Sequence, residues 1–287
     1  MEEVININGV LQEAATAGIP VLDRGFLFGD SIYETLRTYR KKPFLIDRHL
    51  LRLENSARLL YMELPESLER LKKEVLRTIE ATSNSECYIR IVVSRGAGKR
   101  IGLDIDLSAG CTFVIIVVPL ETPSDEMYSH GVKVSVVSVR RNDITTLNPR
   151  IKSSNLLNNV LAFVEAGRKS AYEGILCNLA GNIAEGTGSN IFMARLGRIV
   201  TPPVDAGLLE GVTRALTLDL ALSEGIPAEE RNFTPRELLD SDECFITSTT
   251  KEILPVRKID DRELAVAPGP FTSRLMKAYR NFVDDQR

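Results

Sequence analysis

Ile151-Lys152-Ser153-Ser154-Asn155-Leu156-Leu157 places a lysine at the mouth of an apolar helix near the middle of this 287-residue sequence. Its lysine follows a turn formed by Asn148-Pro149-Arg150 and precedes an apolar helix expected from Asn155 to Gly167. The inward face of that helix is predicted to carry Leu156, Val160, Phe163 and Val164. A lysine taken at random is a solvated surface charge, whereas Lys152 lies at the junction of two elements. Because burial or a nearby cation lowers the pKa of a lysine, an amine in such a place can act as a nucleophile.

Two later segments fit the same chemistry as Lys152. Ala184-Glu185-Gly186-Thr187-Gly188-Ser189-Asn190-Ile191-Phe192 puts a carboxylate before a glycine-rich turn, where the backbone can pass close to a flat ligand. Leu209-Glu210-Gly211-Val212-Thr213-Arg214 opens a helix, and the first amides of a helix bind phosphate well. Pyridoxal 5'-phosphate needs a Schiff-base lysine, a carboxylate that keeps its ring nitrogen protonated, and a phosphate cradle. Together the three segments predict this cofactor.

Further residues are candidates for the phosphate. Thr213 can act as a capping hydroxyl on the helix that Gly211 opens, and Ser248-Thr249-Thr250 is a hydroxyl run directly after a strand predicted from Cys244 to Thr247. Arg52, on the helix that follows His49, can supply a charged clamp. A plain helix cap and an exposed helix arginine are the competing interpretations.

The composition excludes several classes of function. The net charge of -3, from 36 basic and 39 acidic residues, gives no electrostatic reason to expect nucleic acid or an anionic membrane as a partner. No run approaches the roughly 18–20 apolar residues of a membrane span, and Met1-Glu2-Glu3 does not resemble a signal peptide. With only two histidines we expect no metal site. Four scattered cysteines indicate thiols in a reducing cytoplasm.

Strand and helix signals alternate along the whole chain without the regular rhythm of a doubly wound sheet. We therefore expect an α/β (α+β) fold with two domains. Residues 1–120 are predicted to form a small N-terminal α/β domain and residues 131–287 a larger C-terminal one. An interdomain loop is placed at 121–130, because Glu121-Thr122-Pro123-Ser124-Asp125-Glu126 is polar and aperiodic.

The ordered set of motifs resembles the class IV aminotransferases, the fold-type IV family of branched-chain and D-amino-acid transaminases and aminodeoxychorismate lyase. The resemblance spans nearly the whole chain. It is carried by the segments Asp23-Arg24-Gly25-Phe26-Leu27-Phe28-Gly29-Asp30, Tyr33-Glu34, His49-Leu50-Leu51-Arg52-Leu53, the Lys152 segment, Glu185 to Phe192, the Gly211 turn and Thr247-Ser248-Thr249-Thr250.

The resemblance implies a small and a larger domain with pyridoxal 5'-phosphate between them, and a homodimer in which the neighbouring subunit completes each substrate pocket. By motif position, Lys152 would be the Schiff-base lysine and Glu185 the partner of the ring nitrogen. The phosphate would be held by Arg52, Val212, Thr213 and Thr249. The residues facing substrate would be Tyr33, Arg37, Tyr88, Arg90, Arg100 and Thr250.

The motifs leave three substrate classes open. The Lys152 segment and Thr247-Ser248-Thr249-Thr250 are similar to D-amino-acid transaminases, which the overall likeness favours. Tyr88-Ile89-Arg90 and Arg37 look like the branched-chain pattern, with Arg90 suited to the side-chain carboxylate of glutamate. The D-type carboxylate trap pairs an arginine with a histidine two residues later, and this chain has Arg100 but Gly102. Thr35, Arg37 and Arg100 also fit the lyase. Several arginines favour a dicarboxylic substrate such as glutamate or 2-oxoglutarate.

Overall fold

Alternate residues of one strand, Cys87–Ser94, are fully buried, and this period of two is that of a sheet with one face on a core. The sheet belongs to the first of two compact units in the computed structural model, which describes residues 2–286; this unit holds residues 2–121 and 151–155. Its strands are β1 (Val4–Ile7), β2 (Val10–Glu13), β3 (Ser31–Tyr39), β4 (Lys42–Pro43), β5 (Cys87–Ser94) and β6 (Thr112–Pro119). They pair antiparallel in the order β2-β1-β6-β5-β3-β4.

Two amphipathic helices cover one face of this sheet. The helices of the first unit are α1 (Arg24–Phe28), α2 (Ile46–Leu59) and α3 (Leu68–Glu80). On α2, Leu50 and Leu53 are three positions apart and so lie on one side of the helix. They pack with Leu71 of α3 against Ile89 and Ile91 in one core. The side chains at the intervening positions of β3 and β5 therefore point to the opposite face of the sheet.

The second unit, residues 122–150 and 156–286, is built on a mixed sheet. Its strands are β7 (Val132–Arg140), β8 (Glu173–Cys177), β9 (Ile183–Gly186), β10 (Asn190–Arg195), β11 (Arg198–Thr201), β12 (Ala228–Glu230), β13 (Glu243–Ser248), β14 (Glu252–Ile259) and β15 (Arg262–Glu263). The order is β12-β11-β10-β13-β14-β7-β8-β9, with β15 beside β14. The pairs β11/β12, β14/β7 and β7/β8 are parallel and the others antiparallel.

The helices of the second unit are α4 (Asp125–His130), α5 (Leu157–Arg168), α6 (Val212–Ser223), α7 (Pro235–Leu239) and α8 (Pro270–Asp285). The segment expected as an interdomain loop at 121–130 is thus helical over α4. Ser124 caps this helix by accepting from the Met127 amide, and the acidic Asp125 and Glu126 suit its first turn. Among residues 2–286, no helix has the length and apolar character that a membrane crossing requires.

Helix α5 corrects one expectation about packing. Val160, Phe163 and Val164, predicted to face inward, are 51%, 56% and 46% exposed, and the buried side of the helix carries Ala162 and Ala166 instead. The reason is close packing on β8, where a methyl group added at Gly174 would lie 3.0 Å from the Ala162 carbonyl oxygen. Only small residues fit there, so the large apolar side chains point outward.

Candidate active site

One face of the first sheet carries the four strand residues predicted to face substrate: Tyr33, Arg37, Tyr88 and Arg90. In the register of β3 and β5, Arg37 is opposite Tyr88 and Thr35 is opposite Arg90. Directly opposed residues and alternate residues of a strand share a face. Ile32 and Leu36, at the intervening positions, point into the core with α2 and α3. The structure therefore brings these four predicted residues together on the face opposite the one that α2 and α3 cover.

Two cations contact the ring of Tyr33. The Arg90 guanidinium carbon lies 3.8 Å from the ring centroid, and the Lys152 ammonium nitrogen lies 4.5 Å from it. Both distances are those of cation–π contacts. Burial raises the pKa of the Tyr33 phenol above its ordinary value, against the opposing effect of Arg90. The neutral phenol, the amine and the guanidinium thus form one cluster, which we call the Tyr33 cluster.

The backbone of Lys152 is fixed on both sides. Its carbonyl accepts a hydrogen bond from the Tyr33 amide at 2.9 Å, and its own amide donates to the Ser56 Oγ on α2 at 3.1 Å. The Ser154 amide donates to the Ser31 carbonyl at 2.9 Å, and Ser153 forms a bridge with Ile32. The segment therefore lies along the beginning of β3 as a short additional strand, and this holds the amine beside Tyr33.

Arg52 is held by Glu34, a residue to which sequence analysis gave no role. Nε and Nη2 of Arg52 donate to the two oxygens of the fully buried Glu34 carboxylate at 2.7 and 2.8 Å, and His49 Nδ1 lies 2.7 Å from Oε2. Burial opposes ionisation of Glu34, but the Arg52 guanidinium outweighs it and holds the pKa of that carboxyl well below its usual range. Burial lowers the pKa of His49, so the neutral imidazole donates Nδ1–H to the carboxylate. A phosphate contact by Arg52 stays a prediction.

Arg100 lies apart from the strands. It is exposed in the loop that connects β5 to β6, and its side chain makes no hydrogen bond or ion pair with any other residue in the 2–286 range. Its role toward substrate also stays a prediction.

In the second unit, Glu185 is a buried carboxylate on β9 rather than a surface turn residue. Its Oε1 accepts from Arg141 Nε at 2.7 Å, and its Oε2 accepts from the Leu209 amide at 2.9 Å. The side chains of both Arg141 and Glu185 are at least nine-tenths buried, so this is a buried ion pair. Arg141 gave no signal in the sequence, because it is 44 residues from Glu185.

The beginning of α6 has the character of an anion site. Gly211 caps it without a side-chain hydrogen bond, and no acceptor within residues 2–286 is bonded to the amides of Val212 and Thr213. A Cβ at Gly211 would overlap Asn190 Oδ1, and Asn190 Nδ2 donates to the Leu209 carbonyl at 2.9 Å. Only glycine therefore fits at this cap.

The Thr247 hydroxyl lies on the same face of the second unit's sheet as Asn190. Thr247 on β13 is opposite Asn190 on β10, and its buried Oγ1 has no hydrogen-bond partner among residues 2–286. Thr249 and Thr250 follow β13 in a half-buried turn. A helix of twelve residues with uncapped amides, and a buried hydroxyl opposite the Asn190 that packs on its cap, suit a phosphate group, so these residues fit pyridoxal 5'-phosphate.

A second buried ion pair supports the loops around this site. Glu173, at the beginning of β8, accepts from Lys251 Nζ at 2.6 Å, from the Gly188 amide at 2.7 Å and from Ser189 Oγ at 2.7 Å. It thereby ties the glycine-rich turn after Glu185 to the residue that follows Thr250. Across residues 2–286 no group of three or more His, Cys, Asp or Glu side chains is arranged to hold a metal ion.

Known proteins resemble this chain over nearly all of its length. The family model described as amino-transferase class IV matches residues 31–259. A putative branched-chain-amino-acid aminotransferase of Methanocaldococcus jannaschii is 36% identical over 278 residues, 96% of this chain and 95% of that protein. A D-alanine aminotransferase of Bacillus licheniformis is 34% identical over 279 residues, again 96% and 95%. The crystal structure of branched-chain amino acid aminotransferase from Thermobaculum terrenum, in the pyridoxal 5'-phosphate (holo) form, covers 100% of this chain and 96% of its own, with 26% identity and a TM-score of 0.88.

Proposed function

The chain belongs to the class IV aminotransferases, and on that premise we propose that it moves an amino group from a D-amino acid to a 2-oxo acid such as 2-oxoglutarate. The family-model match and the relatives confirm three predictions made from the motifs: the class IV aminotransferase family, the two-domain fold-type IV class, and enzymatic activity as an aminotransferase. It also confirms pyridoxal 5'-phosphate as the cofactor.

Lys152 and Glu185 carry the proposed chemistry. When bound, the cofactor supplies an electron sink for the negative charge that develops at the substrate Cα. Lys152 Nζ would hold the cofactor covalently and, once released by substrate, would take the proton from Cα and return it. Glu185 would keep a proton on the ring nitrogen, and the Arg141 ion pair orients its carboxylate for this role. What supports the proposal above all is the fixed position of the Lys152 amine beside Tyr33.

The phosphate would be bound by the amides of Val212 and Thr213, the Thr249 hydroxyl and Arg52. The uncapped first turn of α6 and the unpaired Thr247 Oγ1 support the first of these assignments. Glu34 uses two donors of Arg52 and fixes the plane of its guanidinium. Tyr33, Arg37, Tyr88, Arg90, Arg100 and Thr250 are the proposed substrate residues.

Arg90 supports 2-oxoglutarate as acceptor, because a guanidinium binds a carboxylate through two parallel hydrogen bonds. For the donor, the Lys152 segment and the Thr247 to Thr250 segment support D-amino acids, as does the likeness to a D-alanine aminotransferase. L-Branched-chain amino acids are the second candidate. This candidate is favoured by Tyr88 and Arg90 on one sheet face and by the branched-chain relatives.

A donor panel tests the proposed substrates. D- and L-amino acids are supplied with 2-oxoglutarate, and the absorbance of the bound cofactor is followed. We expect a higher kcat/KM for D-amino acids. Higher values for L-leucine and L-valine would instead assign the branched-chain function, and pyruvate release from an aminated chorismate without an amino acceptor would assign the lyase.

The variant Arg90→Ala tests the acceptor site in the same assay. We expect it to raise KM for 2-oxoglutarate about tenfold to a hundredfold, because a hydrogen bond to a charged group contributes about 1.5–3 kcal/mol. The matched control is an acceptor with a single carboxylate and an apolar side chain, whose KM should change little. An equal rise for both acceptors would contradict a role of Arg90 in binding the second carboxylate.

We also propose a homodimer. Its support is the outward face of α5, where Leu157, Val160, Leu161, Phe163 and Val164 are all exposed. Contiguous exposed apolar residues on a helix mark an interaction surface, and a patch of like residues suits a second copy of the same chain. Sedimentation equilibrium that finds a monomer would contradict this proposal.

The cytoplasm remains the proposed compartment. All four cysteines (Cys87, Cys111, Cys177 and Cys244) are free thiols, as a reducing compartment leaves them. Recovery of the protein from an oxidising compartment by cell fractionation would contradict this assignment.

A further inference from the structure

One buried arginine shapes the loop that carries Arg100. Arg24, at the beginning of α1, donates from Nη1 to the carbonyls of Gly102 and Asp104 at 2.7 and 3.1 Å, and from Nη2 to the Leu103 carbonyl at 3.0 Å. Three consecutive carbonyls of a loop thus bind a single guanidinium. Arg24 is only 4% exposed, so these charge-assisted hydrogen bonds are formed largely away from water.

The position of Arg24 is set in turn by Asp30, which binds two arginines through one oxygen. Asp30 Oδ2 accepts from Arg24 Nε at 2.9 Å and from Arg95 Nε at 2.8 Å. Arg95 directs its other donors away from the loop, to the Leu60 and Tyr61 carbonyls after α2. Asp30 directly precedes β3, so the loop is tied to the strand that carries Tyr33.

The side chains of the same loop point outward while its backbone is held. Ile101 and Leu103 are 66% and 79% exposed, and the Arg100 side chain is exposed beside them without a hydrogen bond or ion pair within residues 2–286. The base of the loop is closed by the Lys99 amide, which donates to the Leu107 carbonyl at 2.9 Å. An exposed loop ordinarily samples many conformations, and here a buried cation restricts it while leaving Arg100 accessible.

We propose that Arg24 is a positioning residue for Arg100: it holds the 100–104 loop in one conformation so that the Arg100 guanidinium meets a substrate carboxylate. This inference rests on the proposed function, because it takes Arg100 as a substrate-binding residue. The loop backbone is ordered before substrate arrives, so substrate binding does not have to order it. The ligand class that we expect to bind more tightly because the loop is already ordered is a dicarboxylic 2-oxo acid.

Two matched variants of the cofactor-loaded enzyme test the proposal. Arg24→Met removes the donors to the loop but leaves Asp30 paired with Arg95 and keeps an apolar side chain of similar length in the buried position, so we expect the fold to persist. Arg95→Met is the control, because it leaves Asp30 paired with Arg24 and the loop bonds intact. Arg24→Lys is a second variant in case Arg24→Met does not fold, since an ammonium keeps the charge beside Asp30 but cannot reach three carbonyls.

The first measurement is independent of activity. Trypsin cleavage after Lys99 and Arg100, followed by mass spectrometry under native conditions, reports how often the loop opens. We expect cleavage there to be at least about tenfold faster in Arg24→Met than in the wild type, and unchanged in Arg95→Met. Equal cleavage in Arg24→Met and the wild type would overturn the proposed restraint.

The second measurement is kinetic. Arg24→Met should raise KM for 2-oxoglutarate about tenfold with little change in kcat, and it should have no further effect when Arg100→Met is already present. If Arg100→Met raises this KM and Arg24→Met does not, the inference fails and the proposed role of Arg100 stands. If Arg100→Met leaves this KM unchanged, the proposed substrate role of Arg100 and the positioning role of Arg24 both fail, whatever the cleavage pattern.

Discussion

Lys152→Ala is expected to lower kcat by about 10³-fold or more while leaving the fold intact, because it removes the side chain proposed both to anchor the cofactor covalently and to transfer the proton. The backbone contacts of residue 152, to Tyr33 and to Ser56, do not involve the side chain and persist in the variant. Steady-state turnover with the best donor of the panel, together with circular dichroism, measures the two effects separately.

The matched control is Lys72→Ala. Lys72 lies on α3 in the same unit and pairs with Asp47 on the surface, so its loss should leave kcat unchanged and stability nearly so. Turnover by Lys152→Ala within tenfold of the wild type would end the assignment of Lys152 as the reactive amine.

Glu185→Gln is expected to lower kcat by about 10²–10³-fold, the usual effect of removing one group aimed at charge that develops in a reaction. Glutamine has the same shape but no negative charge, so it cannot stabilise a proton on the ring nitrogen. The change also leaves the Arg141 guanidinium buried without its counter-ion, which should cost about 3–5 kcal/mol of unfolding free energy. Turnover and urea denaturation measure the two effects.

Arg141→Met separates the chemical effect from the structural one. It removes the cation but keeps the Glu185 carboxylate and its hydrogen bond from Leu209. We expect comparable destabilisation with a loss of kcat below about tenfold. If the two variants lose kcat equally, the ion pair rather than the carboxylate accounts for the effect, and Glu185 is not the ring-nitrogen partner.

The role of the four strand residues toward substrate came from the family resemblance and stays a prediction, but their shared sheet face follows from strand alternation. Tyr33 and Arg37 are four positions apart on β3, and Tyr88 and Arg90 are two positions apart on β5, so a correct strand assignment puts each pair on one face. Lys152 was singled out from its local setting at an element junction, and its role as the Schiff-base lysine stays a prediction. Helix α5 was assigned correctly as a helix but with the wrong inward face, since apolar spacing does not tell a core from an exposed apolar surface.

The charged partners of the site could not be predicted from the sequence. Arg52 and Glu34 are 18 residues apart, Arg141 and Glu185 are 44 apart, and Lys251 and Glu173 are 78 apart. No periodicity connects residues at such separations, and each is an ordinary polar residue in its own segment. Only the folded chain brings them within hydrogen-bonding distance. Burial then makes each pairing necessary, because a buried charge without a partner is costly in free energy.

The path of the chain through residues 151–155 has a consequence for any attempt to divide this protein. These five residues belong to the first unit although the residues on either side belong to the second. A polypeptide ending near residue 121 would therefore lack Lys152, the proposed reactive amine, and would leave the beginning of β3 without its neighbour along Ser31 to Tyr33. A split enzyme made at that point would need the two fragments to recombine through strand pairing before any turnover could occur.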